Sequence, residues 1–273
     1  VHELRKSGKK IRSALRLIRD HIGYYKEENV FFRDLMRNIS DVRDAKANIE
    51  TLDKLQAMHE SQLASNSFRS IREYLQDALR EQETMAFEEN NILAHIQEAL
   101  TRKAAEIEEW PLNIRSYEPV TKGIKRVYRR GRTAFKISGK TRDTKDLHQW
   151  RKRIKYLRYQ MDILNRIWPA YMTTMENELH DVSDWTGFDH DLYNLSCSVD
   201  QCEEAFDSPA QKRLFYALLN HERGAFQQLA LLKGGRFYTD SPGDFSHKIG
   251  VFWKRQKEEI HSEYPTIPDI VAS

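Results

Sequence analysis

Glycine and proline are scarce in this chain, eleven and seven in 273 residues, and most of them fall at a few breakpoints. The long stretches left between suit helices and argue against a sheet protein, whose many turns draw on both residues. Cysteine is nearly missing. Cys197 and Cys202 sit five apart in a segment that reads as a helix, a spacing for buried thiols rather than for a disulfide or a metal pair, and one that fits a reducing cytoplasm. No run approaches the roughly 18–20 apolar residues that span a bilayer, and no signal peptide opens the chain, so no membrane partner is expected. A Gly-rich phosphate loop and a Ser or Cys nucleophile constellation are also lacking. The expectation is a protein that is not an enzyme and carries no metal or cofactor.

What is present is a globular composition, 40% apolar and 31% charged, in a chain long enough for one large or two small cored domains. A period of about 3.6 dominates. It predicts helices over 2–23, over 28–62 as one or two segments, and over 68–109, with a turn at Ser65-Asn66-Ser67 and a stop at Trp110-Pro111. A basic helix follows at 120–137, broken by Ser138-Gly139-Lys140-Thr141. Thr144 is placed to cap the next, which runs to Trp168 before Pro169. Further helices are predicted at 170–185, 189–206, 209–232 and 244–260, with breaks at Gly234-Gly235 and Pro242-Gly243 and a tail over 261–273. The fold class is all-α. Val1-His2-Glu3-Leu4 already lies inside a helical pattern, so chain is expected upstream of Val1.

The net charge of +3 hides a segregation. Residues 1–19 carry seven Lys/Arg against Glu3, and residues 122–158 carry fifteen against Asp143 and Asp146. These stretches sum to +19, so the remainder totals −16. Solvated helix faces mix their signs; segregation of this kind is the footprint of an anion site.

Within the basic stretches lies an internal repeat, and a repeat is sought before any motif. His2-Glu3-Leu4-Arg5-Lys6-Ser7-Gly8-Lys9-Lys10-Ile11-Arg12 and His148-Gln149-Trp150-Arg151-Lys152-Arg153-Ile154-Lys155-Tyr156-Leu157-Arg158 both read H-x-x-R-K-x-x-K-x-[IL]-R, 146 residues apart. At about 100° per residue, offsets 0, 3, 7 and 10 fall within an arc of roughly 80°. His2, Arg5, Lys9 and Arg12 therefore share one stripe, extended by Arg16, and His148, Arg151, Lys155 and Arg158 share another. Leu4, Ile11, Leu15 and Ile18 project to the opposite side, as do Trp150, Leu157, Met161 and Leu164. Like charges on adjacent turns repel by a few tenths of a kcal/mol per pair, and nothing acidic at i±4 relieves Arg5, Lys9, Arg12, Arg151 or Lys155, so a bound anion is the economical explanation. Lys122, Lys125, Arg126, Arg129, Arg132 and Lys136 form a third stripe on a helix expected to lie antiparallel to the second copy. The counterpart of that helix for the first copy would fall before Val1.

At these residues the sequence resembles the CHAD family, the conserved histidine α-helical domain, over nearly the whole chain. The two repeat segments look like its two signature helices. Leu35 to Lys46, with Val42-Arg43-Asp44-Ala45, looks like the segment after the first. Leu179-His180-Asp181-Val182-Ser183-Asp184, with Asp189-His190-Asp191-Leu192, looks like the segment after the second, and Tyr128-Arg129-Arg130-Gly131-Arg132 matches the basic helix between. The resemblance implies one domain over 1–260, built of two pseudo-symmetric helical bundles, 1–115 and 116–260, with a basic groove between them that binds inorganic polyphosphate. Carried over by position, the binding residues are His2, Arg5, Lys6, Lys9, Arg12 and Arg16, then His148, Arg151, Lys152, Lys155 and Arg158, with the Lys122–Lys136 stripe beside them. Gly8 inside the first signature departs from the pattern. A cytoplasmic protein at polyphosphate granules is implied.

Three rival readings use the same residues. A nucleic-acid backbone presents similar charge, but base recognition interleaves aromatics among the cations, and only the second copy has them, Tyr156 and Tyr159. His180-Asp181 and His190-Asp191 are dipeptides of metal-dependent phosphohydrolases, which need further ligands; His148 or His221 are candidates that no spacing demands. His2 to Gly8 is faintly similar to a phosphotransfer histidine motif, but the second copy has no small residue there. Trp168, Met172 and Trp185 are expected to pack in the interior, and Trp253-Lys254-Arg255 either extends the basic surface or faces away from it.

Overall fold

The helical period is realised as ten α-helices with no strand among the described residues. The structure is a computed structural model that describes residues 1–263 apart from Ser65, Asn113, Arg115 and Gln201, with the backbone alone for Glu203 and 261–263. The helices are α1 (His2–Leu17), α2 (Tyr25–Arg37), α3 (Ser40–Met58), α4 (Arg69–Glu83), α5 (Ile92–Glu108), α6 (Glu118–Thr141), α7 (Thr144–Ile163), α8 (Pro169–Val199), α9 (Pro209–Phe237) and α10 (Pro242–Glu263). Among the described residues no helix is long and apolar enough to cross a membrane. The predicted turn at Ser65-Asn66-Ser67 and the tail over 261–273 lie partly outside the described residues.

Several boundaries differ from the sequence expectation, each for a local reason. The stretch 68–109 is two helices, because a π-helical turn at Thr84–Glu89 runs into Asn91 in the left-handed region at φ 45°. The segments 170–185 and 189–206 are instead largely one helix, α8, which ends at Val199. Thr186 donates its hydroxyl to the Val182 carbonyl at 2.7 Å within that helix, so a residue that suggests a break is satisfied inside the turn. Gly234-Gly235 does not end α9, which runs to Phe237. A Cβ at Gly234 would collide with the indole of Trp150; the glycine seats that ring. The α6 helix likewise continues through Ser138-Gly139-Lys140-Thr141 and stops at Arg142, in the left-handed region at φ 50°. Asp143, not Thr144, caps α7, accepting from the backbone N–H of Lys145 at 2.8 Å and of Asp146 at 3.3 Å. With only two residues between them, α6 and α7 form the expected helical hairpin.

The apolar faces read from the sequence are the buried ones. Trp150, Leu157 and Met161 are fully buried in a cluster with Tyr128, Met172, Leu179 and Phe245, which joins α6, α7, the first half of α8 and α10. Leu52, Leu55, Ile71 and Leu75 of α3 and α4 pack with Leu192, Leu195 and Phe215, so the second half of α8 and α9 complete a second core. Leu15 meets Ile22 and Phe32, with Ile11 and Ile18 at the margin. Trp168 differs: it stays 46% exposed, edge-on to Phe252, whereas Trp253 stacks on Tyr117 at 4.7 Å.

The end of α1 is held against α6 at one close approach, where a Cβ on Gly123 would fall on the Leu17 carbonyl. Gly139, in the same helix, is exposed, and a Cβ there would meet only the Leu231 side chain at 3.9 Å, an ordinary van der Waals contact. The same substitution should therefore have opposite signs at the two sites. Gly123→Ala is expected to destabilise by about 1–3 kcal/mol through overpacking, and Gly139→Ala to stabilise by about 0.5–1 kcal/mol. Urea unfolding of both variants checks this, and equal effects would remove the close approach as a constraint.

Candidate anion-binding cleft

Five helices converge on one cleft of about 440 Å³. Arg5, Lys9 and Arg12 enter from α1, Arg33 and Arg37 from α2, and Arg43 and Asp44 from α3. His148, Arg151, Lys152 and Lys155 come from α7, with His190 and Asn194 from α8. Nine lysines and arginines thus line the cleft with one carboxylate, Asp44, among the lining residues; Asp34, outside the lining, pairs with Arg33 at 2.7 Å and Arg37 at 3.6 Å. Arg43, Arg151 and Lys155 also line a second pocket of about 310 Å³ beside Lys54 and Ser183, and so form the wall between the two.

Local bonds fix the arginines. Arg5 donates to the Met36 carbonyl at 3.1 Å and to the Ser40 hydroxyl, and so binds the end of α2 to the start of α3. Gly8, the departure from the family pattern, lies where a Cβ would strike Met36, so its absence lets α1 approach α2. Arg12 Nε donates to Asn29 at 3.3 Å. Ser13 donates to the Tyr156 carbonyl at 2.7 Å and Gln160 to the Ser13 carbonyl at 3.4 Å, which joins α1 to α7. Arg43 lies 3.0 Å from Asp44 and 3.8 Å from Asp191, and Arg151 lies 3.9 Å from Asp191. Burial raises the Asp191 pKa, but His190 and the two guanidinium groups outweigh it and hold the carboxyl below its ordinary value.

The two lysines stand apart. Neither the Lys9 nor the Lys155 amine meets a carboxylate or a hydrogen-bond acceptor among the described residues. Burial, reinforced by Arg5 and Arg151, lowers the Lys9 amine to about 8. Burial, with Arg151 and Lys9, pushes Lys155 well below the usual lysine value. The His148 ring stacks on His190 with centroids 4.2 Å apart. Desolvation first, then His190, Lys152, Arg151 and Lys155, depress His148 to about 3.

The structure brings together Arg5, Lys9, Arg12, His148, Arg151, Lys152 and Lys155 of the residues picked from the sequence. Others it places elsewhere. His2 and Lys6 are exposed beside Glu3 at 4.0 and 3.8 Å. Arg16 lies over the Tyr156 ring, 3.9 Å from its centroid. Arg158 pairs with Glu176 of α8 at 2.6 Å, while Asp162, four residues on along α7, pairs with Lys10. On α6, Lys122 pairs with Glu118 at 2.7 Å, Arg126 with Asp20, and Arg132 donates to the Tyr238 carbonyl at 3.1 Å. Lys125, Arg129 and Lys136 face outward. Arg33, Arg37, Arg43, His190 and Asn194 were not picked; the Arg43-Asp44 and His190-Asp191 segments carried a signal, whereas nothing marked Arg33 or Arg37. The two His-Asp dipeptides do not converge, since His180 pairs with Asp184 at 2.9 Å and His190 stacks on His148. Among the described residues no group of three His, Cys, Asp or Glu side chains is placed to hold a metal.

A family model described as CHAD domain matches residues 1–197. That span contains every residue lining the cleft and ends within α8, whereas α9 and α10 lie beyond it. No curated protein and no solved structure matches the chain.

A histidine with a depressed folded-state pKa binds fewer protons than its unfolded counterpart between the two values. His148 therefore contributes stability that is present above about pH 6.5 and is lost as pH falls toward about 3. The free protein is expected to lose stability over that window more steeply than a His148→Gln variant, measured by urea unfolding at pH 7.5 and 4.5. Parallel slopes would mean that His148 titrates as an exposed imidazole.

Proposed function

The chain belongs to the CHAD domain family, and from that premise we propose that it binds inorganic polyphosphate without catalysis, seated in the cleft between α1, α2, α3, α7 and α8. One observation carries the reading: nine cations line the cleft with one carboxylate among them, and the Lys9 and Lys155 amines have no partner among the described residues. A fold gains nothing from bringing such charges together, and a polyanion relieves them. Guanidinium forks make bidentate contacts to phosphate oxygens, and lysines act as point charges between them.

The two repeat helices supply both walls in this reading, as a pseudo-symmetric basic groove would. A long chain needs more than the cleft, and a path leads outward. Arg153 on α7 is desolvated and lies within the fields of Arg130 on α6 and Arg16 on α1, so cations continue from the cleft mouth toward the exposed α6 stripe. Short anions would occupy the cleft alone, and long ones would extend onto Lys125, Arg129 and Lys136. Association with polyphosphate granules in the cytoplasm follows from the same reading.

The test is a titration with tripolyphosphate, long-chain polyphosphate and single-stranded RNA of matched charge at two salt concentrations. Lys9→Gln/Lys155→Gln is expected to weaken both polyphosphates by at least about ten-fold, since charge-assisted hydrogen bonds contribute about 1.5–3 kcal/mol each. Lys125→Gln/Lys136→Gln should weaken only the long chain, with a shallower salt slope. Tighter RNA binding than polyphosphate binding would replace the ligand, and unchanged affinity in the lysine pair would move the site out of the cleft.

A phosphate neighbour also raises the pKa of His148, which the free cleft holds low. Binding near pH 6 should take up protons, seen as a buffer-dependent enthalpy in calorimetry. An enthalpy independent of buffer ionisation would exclude His148 from the bound site.

A further inference from the structure

Lys9 and Lys155 are the partly buried lysines of the cleft, whereas Lys152, the third lysine lining it, is exposed. They have no carboxylate or acceptor of their own, and they share a cleft with guanidinium groups already fixed in place by Met36, Ser40, Asp44 and Asp191. Some exposed lysines elsewhere pair off, as Lys122 does with Glu118 and Lys10 with Asp162 at 2.6 Å. An amine without a partner, beside a fork that holds phosphate oxygens, meets the two needs of acyl transfer from a phosphorylated donor. One is a nucleophile with its lone pair available; the other is a handle that orients the leaving group.

We propose that Lys9 and Lys155 are sites of covalent acylation by small acyl phosphates, whose phosphoryl group docks on the cleft arginines. The proposal rests on the reading of the cleft as a phosphate site. The amine loses a proton to water and attacks the carbonyl carbon of the acyl group. An N–C bond forms, the C–O bond to the phosphoryl oxygen breaks, and inorganic phosphate leaves with that electron pair. The second amine proton passes to solvent, and the product is a neutral amide. No oxidant, reductant or further reactant is required. Acylation removes a positive charge from the cleft and adds bulk to it, so each event weakens the hold on a polyanion and couples occupancy to the supply of activated acyl groups.

The state of the amine supports the same chemistry. A lysine at about 8 rather than 10.5 carries ~300-fold more free amine near neutral pH. A less basic amine is also a weaker nucleophile, and a Brønsted slope of about 0.5, as for thiolates, leaves a net gain of roughly ten-fold or more. Lys6 is the internal reference: it lies on the same helix, exposed and outside the cleft.

The experiment treats the full chain with acetyl phosphate and, in parallel, with acetic anhydride, which has no phosphoryl handle. Acetyl occupancy at each lysine is followed over time by peptide mass spectrometry. With acetyl phosphate, Lys9 or Lys155 is expected to be modified roughly ten-fold faster than Lys6, and tripolyphosphate should suppress that excess. Arg151→Gln should lower the excess with acetyl phosphate by more than it slows the reaction with acetic anhydride, which responds only to the change in the two amines. Cleft lysines no faster than Lys6, or an excess indifferent to tripolyphosphate in the unaltered protein, would overturn the proposal. Polyphosphate titration of the same sample separates the two claims. Binding without selective acylation defeats the modification site alone, and loss of both defeats the phosphate cleft as well.

Discussion

Desolvated positive charge is the constraint on which the rest of this molecule depends. Like charges a few ångströms apart repel by about 1 kcal/mol in water and by several times that where water is partly excluded. The fold must therefore supply attraction from other parts of the same helices. On α7 it does so from the opposite side: Trp150, Ile154 and Leu157 are almost wholly buried, and each large apolar side chain contributes about 1.5–3 kcal/mol. The helix that carries His148, Arg151, Lys152 and Lys155 is anchored by its back. Asp191 does the remaining electrostatic work, because one carboxylate between Arg43 and Arg151 tempers two charges from two helices.

The arginines and lysines divide the task. Arg5 and Arg12 spend donors on the Met36 carbonyl and on Asn29, and each keeps further N–H groups for a ligand. Their geometry is set before anything binds, which lowers the ordering cost of binding. Lys9 and Lys155 have no such tether among the described residues, and in the proposed reading they would supply charge to a ligand that the fixed forks position. The cleft thus joins rigid direction to adjustable charge, as an irregular polyanion requires.

Much of this was legible in the sequence because it rests on local repetition. Helix class, the apolar backs of α1 and α7, and the shared stripe of Arg5, Lys9, Arg12, Arg151 and Lys155 all follow from a 3.6-residue period. What was not legible depends on contacts between distant residues. Gly234 reads as a breaker until Trp150, 84 positions earlier, is seen lying on it. Arg158 satisfies the same stripe geometry as Lys155, yet Glu176 on α8 neutralises it. Arg33 and Arg37 sit on a mixed-charge helix that carries no motif, and they line the cleft from α2, which lies close to α1 where Gly8 has no Cβ to strike Met36. Position within a motif predicted direction; whether a charge remained free was decided by neighbours from elsewhere.

His2 shows the limit of the periodic reading in another way. It shares the arc of Arg5, Lys9 and Arg12, but a straight helix touches a concave site only over a short length. From Arg5 to Arg12 the α1 axis advances about 10 Å, and from His148 to Lys155 the α7 axis advances the same distance. Both helices offer about two turns to the cleft and then leave it, His2 into solvent at one end and Arg158 into an ion pair at the other. A short phosphate chain matches that length. In the proposed reading a longer one would run out past Arg16 and Arg153 or pass the wall of Arg43, Arg151 and Lys155 into the adjoining pocket. The two routes differ in charge: the first passes Arg16, Arg153 and Arg130, whereas the adjoining pocket sets Lys54 and the wall cations beside Glu50, Asp184 and Asp191, so the proposed reading favours the first for a polyanion.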